Sequence, residues 1–252
     1  MRTNKVRFIV MFVLIAMLAA FPLAAGATHS WGGYHWARTS NPFTLKVGDN
    51  VSTGWDSYLN TTVSDWSQSN VLDLTKVTGS TTGRKCRPTA GRIEVCNAAY
   101  GNNGWLGLAQ IWLSNGHISQ GTAKMNDSYF NLAQYNNADE KNHVMCQEVG
   151  HTFGLGHTSE DGSTQNTCMD YSQSPTSTAP NQHDYDMLAS IYSHLDSTTT
   201  IGSAPAGFAN ADVHAQENWG QKVSESADGR SAIFVRDFGN NYVIVTHVTW
   251  AK

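Results

Sequence analysis

CQEVGHTFGLGH, Cys146–His157, is the stretch on which the reading of this chain turns. Gln147 and His151 are four residues apart and share one face of a helix, with Glu148 beside the first of them. His157 follows three residues after Gly154, which can take the left-handed backbone that ends a helix sharply. A turn there brings His157 back toward the helix end, so that Gln147, His151 and His157 can converge on one ion. Glu148 then stands beside the ion, placed to take a proton from a metal-activated water. His143 shares the face of Gln147 but lies two turns, about 12 Å of rise, before His151, too far to share an ion held about 2 Å from each nitrogen. It is expected as a groove or surface residue.

The flanks support a helix over 139–153. Asn137 or Asp139 is its candidate cap, and Asp139 and Glu140 suit its positive end. Upstream, Phe43–Val47 alternates as a strand, and Trp55, Tyr58, Leu59, Val63 and Trp66 recur at helical spacing within 53–69. Residues 84–96 read as a hairpin turning at Pro88–Gly91, Trp105–Trp112 as a strand, and Gly121–Asn126 as an exposed edge strand or a segment leading from one. A second helix is expected over 181–195. Two alternating runs, Ser231–Phe238 and Tyr242–Trp250, are joined by Gly239-Asn240-Asn241 and read as a small terminal hairpin or sheet.

The arrangement of Gln147, Glu148, His151, Gly154 and His157, followed by Cys168-Met169-Asp170-Tyr171, resembles the metzincin zinc proteases. Their motif His-Glu-x-x-His-x-x-Gly-x-x-His precedes a methionine turn. Within that clan it is most similar to matrixin-like secreted bacterial proteins, over about residues 31–196. The resemblance implies an α+β zincin fold: a twisted mixed β-sheet, an active-site helix, a Met-turn and a C-terminal helix. It implies Zn(2+) held by Gln147, His151 and His157, with Met169 packed beneath the metal without binding it. Tyr171 is similarly placed to a tyrosine that in some metzincins swings between the metal and the transition state. Gln147 stands where the family has its first zinc histidine. Its oxygen reaches about as far as an imidazole nitrogen and is also neutral, but donates less well, so the expected site is looser by a few kcal/mol out of roughly 10–16. Related exported proteases often bind Ca(2+), and Asp127, Asp139, Asp161 and Asp170 are candidates, although no Asp-x-Asx-x-Asx-Gly loop is present.

The wider sequence sets the context. Arg2, Lys5 and Arg7 precede an apolar run from Phe8 to Ala20 and a small-residue exit at Ala25-Gly26-Ala27, the layout of a secretory signal peptide over 1–27. Without that segment, 13 of the 16 basic side chains remain against 20 acidic ones. The acidic balance and the lack of a basic patch argue against a nucleic-acid partner, and no later segment suits membrane insertion. Domain boundaries are expected at 28–196 for the catalytic unit, 197–207 for a linker and 208–252 for a small C-terminal β appendage. The four cysteines favour the local pairs Cys86–Cys96 and Cys146–Cys168, with the other two pairings open. The second pair would close a loop worth on the order of 3 kcal/mol.

The function expected is that of a secreted zinc-dependent endopeptidase with Glu148 as general base, gripping an extended peptide along an edge strand near 118–126. The alternative is a catalytically weak or inactive protein of the same fold that binds peptides or proteins. A third reading makes the helix histidines packing residues of an exported structural domain. Oligomeric state is left open.

Overall fold

The structure, a computed structural model, describes residues 29–202 and 213–252. The expected signal segment and residues 203–207 of the expected linker lie outside the described residues. The chain is α+β, with one mixed sheet and few helices. Strand β1 (His35–Trp36) is followed by β2 (Phe43–Asn50), helix α1 (Asp56–Trp66), β3 (Leu72–Thr78), β4 (Ile93–Ala98), β5 (Trp105–Ser114) and β6 (His117–Asn126). Then come the short α2 (Asp127–Phe130), α3 (Ala138–His151), α4 (Gln182–Ile191), β7 (Gln221–Glu225), β8 (Ser231–Asp237) and β9 (Tyr242–Trp250). No helix among the described residues is long and apolar enough to cross a membrane.

The strands lie in the order β3-β2-β4-β6-β5-β9-β8-β7, with β1 pairing the start of β6. Pairing is parallel across β3-β2-β4-β6 and antiparallel from β6 to β7. The change of direction is made by Asn115-Gly116, both at positive φ (52° and 81°), the pair of residue types best suited to a two-residue hairpin turn. The strands expected as a terminal appendage thus continue the main sheet, since β9 hydrogen-bonds along the whole of β5.

Two expectations upstream are corrected. The first arm of the 84–96 hairpin is no strand: Lys85 and Cys86 donate their amides back to Thr82 O, and Cys86 sits at φ 40°. The disulfide Cys86–Cys96 ties this turn to β4, which pairs in parallel on both sides. Residues 118–126 are not an edge. They lie inside β6, between β4 and β5, and their polar alternation is misleading because Ser119, Thr122 and Lys124 are buried, Lys124 Nζ donating to Gln110 Oε1 at 3.0 Å.

The sheet is covered on both faces, which explains the apolar alternation of β5 and β9. Ile111, Leu113 and Val245 face α3 with Val144, Val149 and Phe153, whereas Trp105, Leu108, Trp112, Ile244 and Val248 face away and pack with Trp219 and Phe234. His247 and Thr249 follow Val245 at intervals of two and therefore point to the α3 face as well. That parity builds the site.

Candidate metal centre

α3 begins where a cap is supplied: Asn137 Oδ1 accepts from the amide of Glu140 at 2.8 Å. Its regular part ends at His151, two residues earlier than the sequence indicates, and a last turn runs on to Gly154. Gly154 has φ 94°, and a Cβ there would collide with the carbonyl oxygen of Tyr34. Only glycine allows both the conformation and the close approach. The reversal carries His157 back beside His151, with ring centroids 4.6 Å apart.

The third member of the group is His247, from β9. One ring nitrogen from each of His151, His157 and His247 lies within 4.8 Å of the others, a separation that would let them hold a metal ion. The opposite nitrogens are oriented. His151 Nδ1 donates to Leu155 O at 2.8 Å, His247 Nδ1 lies 3.3 Å from Glu148 Oε2, and His157 Nδ1 contacts the Tyr171 hydroxyl. Backbone or carboxylate partners of this kind fix tautomer and ring direction at histidine metal sites. His151 Nε2 and His157 Nε2 are buried without a partner, a costly condition for a ring nitrogen unless something outside the protein accepts the lone pair. Burial, followed for His151 by His247 and for His157 by His151, holds both pKa values well below the usual histidine range, and burial lowers His247 to about 3. All three are therefore neutral, the form that binds metal. Trp31 stacks flat on His151, with centroids 4.8 Å apart and planes 2° from parallel.

Gln147 is placed differently from the expected ligand. Its Nε2 donates to Cys168 O at 3.0 Å and Asp170 O at 2.8 Å, while its Oε1 faces the Thr249 hydroxyl at 3.0 Å. The carboxamide thus stitches α3 to the 168–170 turn, and His247 stands in the group of donors instead. His143 Nδ1 bonds the carbonyl of Ser177, away from the histidine group. The disulfide Cys146–Cys168 fastens the same turn to α3. Met169 is fully buried, and a Cβ on Gly150 would stand 2.7 Å from its sulfur and 2.7 Å from Trp66 Cζ2, so glycine at 150 lets the thioether lie against the helix.

Glu148 is fully buried. Thr249 Oγ1 donates to its Oε1 at 2.7 Å, and burial, opposed by neighbouring histidines and this hydrogen bond, pushes its carboxyl up to about 7. The strand opposite makes room for it: a Cβ on Gly107 of β5 would meet the Glu148 carboxylate and lie 2.6 Å from Val144 Cγ1. Tyr171 is buried, its hydroxyl touching His157 Nδ1 and Ser231 Oγ and lying 3.4 Å from His247 Nε2. Burial raises its pKa well above the usual phenol range, so it remains a neutral hydroxyl.

Asp127, Asp139, Asp161 and Asp170 belong to none of the converging donor groups among the described residues. Asp127 accepts from Trp55 and Asn97, Asp161 from Ser159 and Ser163, and Asp170 from Gln165, Ser172 and Ser177.

The residues present fit a transition-metal ion: three neutral imidazoles, two with unpartnered nitrogens, and oriented second nitrogens suit zinc in a tetrahedral site. His247 carries no spacing signal in the sequence. The alternation of Tyr242–Trp250 shows which residues share its face, but not that this face meets α3. No protein-family model matches the chain, and no curated protein matches it.

Proposed function

We propose that the protein is an exported zinc-dependent endopeptidase of the metzincin kind, with strand β9 lying across the catalytic face. The observation that carries the reading is the pair of buried, unpartnered imidazole nitrogens of His151 and His157, grouped with His247, whose other nitrogen faces the carboxyl of Glu148. Zinc bound there would supply Lewis acidity, polarising a carbonyl and lowering the pKa of water. Glu148, its carboxyl raised to about 7 by burial, has the proton affinity to accept a proton from the attacking water and return it to the leaving amine, a role that requires its Oε2 to leave His247 Nδ1, the nitrogen it now faces. Tyr171, neutral and adjacent to His157 and His247, can donate its hydroxyl to negative charge developing at the same place. A small cavity of about 30 Å³ is lined by Leu106, His143, Tyr171, Thr249 and Trp250 and reaches the histidine group through Tyr171 and Thr249.

An extended peptide pairing beside α3 would need the free side of β5, where β9 now lies with Ala109 opposite His247 and Gly107 opposite Thr249. That occupancy favours a second reading, in which the histidines form a closed metal site in a non-catalytic binding protein. Metal content and cleavage of a mixed peptide library by the full chain, with and without Glu148→Gln, separate the two. Cleavage that falls at least about 100-fold in the variant while zinc stays bound supports the peptidase. Cleavage indifferent to the substitution removes Glu148 from the reaction, and a zinc-replete protein that cuts nothing favours the binding protein.

A further inference from the structure

A second group of donors lies away from α3, where three distant parts of the chain meet. His35 is in β1, His117 opens β6, and His194 and Asp196 follow α4. His35, His117 and Asp196 each offer a donor within 4.8 Å of the others. Asp196 Oδ1 lies 3.5 Å from His35 Nε2, 3.2 Å from His117 Nε2 and 3.7 Å from His194 Nε2. His194 Nε2 is 3.1 Å from His35 Nε2. Around a tetrahedral zinc, donors 2.0–2.2 Å from the ion stand roughly 3.3–3.6 Å from one another, so Asp196 Oδ1 at 3.5 Å from His35 and 3.2 Å from His117 is close to the spacing of a coordination shell, while His194 stands outside the three that converge.

The remaining atoms of the group are already committed. His35 Nδ1 donates to Gly33 O at 2.9 Å, which leaves a lone pair on Nε2 of the neutral ring. Asp196 Oδ2 accepts from the Arg38 amide at 3.1 Å and from Arg38 Nη1 at 2.9 Å, leaving Oδ1 to face the imidazoles.

We infer that His35, His117 and Asp196 form a second zinc site that staples β1 to β6 and to the segment after α4. Two imidazoles and one carboxylate supply three donors, and the exposed His194 stands beside them, 3.1 Å from His35 Nε2. The inference does not depend on the α3 group being catalytic.

The test uses the full chain, stripped by a chelator and titrated with zinc alone, with stoichiometry read by native mass spectrometry and stability by thermal melting. Two zinc ions per chain are expected. His35→Gln and His117→Gln should each bind one ion tightly and weaken the other on the order of 100-fold. His151→Ala with His157→Ala should also retain one. Unchanged stoichiometry and affinity in both glutamine variants overturns the site, as does complete loss of zinc in the His151/His157 double variant. Cobalt in place of zinc gives an independent reading: a tetrahedral visible spectrum that persists in the double variant and disappears in His117→Gln supports the staple.

Discussion

Gln147 makes two donations at once, to Cys168 O and Asp170 O, that a single imidazole N–H cannot reproduce. Gln147→His is therefore expected to leave zinc affinity within about threefold of the parent and to strand at least one buried carbonyl, costing about 1–3 kcal/mol. That corresponds to a fall in Tm of roughly 2–12 °C for a chain of this size. Zinc titration beside a melting curve checks both parts, and a clear gain in affinity would return Gln147 to the ion. Gly107→Ala carries a related expectation, because its Cβ would press on the Glu148 carboxylate and Val144. The overpacking should cost about 1–3 kcal/mol. Denaturant unfolding that shows no loss would mean β5 and α3 can separate at no cost. Neither glycine nor glutamine advertises such a role in a single sequence, since the atoms that constrain them come from strands far away in the chain.

Helix α4 illustrates what local rules reach. Its start was legible from the pattern after Pro180, and the structure adds a capping box, Asn181 accepting from the first turn and Asp184 accepting from the Asn181 amide at 2.8 Å. α3 was equally legible because its cap, its apolar spacing and Gly154 all lie within about twenty residues. β6 misleads because a buried strand with Ser, Thr and Lys looks like a wet one, and β3 carries little signal because its alternation is confined to buried Leu72 and Leu74 beside exposed Asp73 and Thr75. The cap also carries a pH signature. Asp184 Oδ1 has no hydrogen-bond partner, and burial, opposed by Thr167 and the Asn181 amide, raises its pKa from 3.8 to about 6. His29, 3.7 Å away, is lowered to about 4 by burial and offers no counter-charge at neutral pH. Because the folded value is raised, the contribution of Asp184 to stability is complete below about pH 4 and is lost as pH rises through 6, a change of up to about 3 kcal/mol. Asp184→Asn keeps an acceptor for the cap without the titration. Its melting temperature should gain on the parent by several degrees between pH 4 and 7, and a constant difference across that range would show that Asp184 does not carry the charge penalty.

Across the molecule, the histidine group joins the one helix whose motif could be read to a strand whose partner could not. Alternation identifies the inward residues of β9, but pairing with β5 is set by the packing of two apolar faces that only the folded chain brings together. A metal held by this group would therefore depend on the whole sheet through His247, and it should couple two regions 90 residues apart in sequence. At a zinc concentration 100-fold above Kd the bound state gains about 2.7 kcal/mol over the unfolded chain. Amide exchange locates that gain. Zinc should slow exchange on the order of tenfold in both 152–158 and 244–249, while β2 and β3 stay unchanged, because local opening on either side must release a shared ion. His247→Ala should abolish the zinc effect in both segments together. Zinc held by the β1–β6 staple would instead protect residues 35–38 and 192–196, and that effect should survive the substitution. If zinc protects 152–158 alone, or if His247→Ala leaves the protection intact, the ion on α3 takes its third donor from somewhere other than β9.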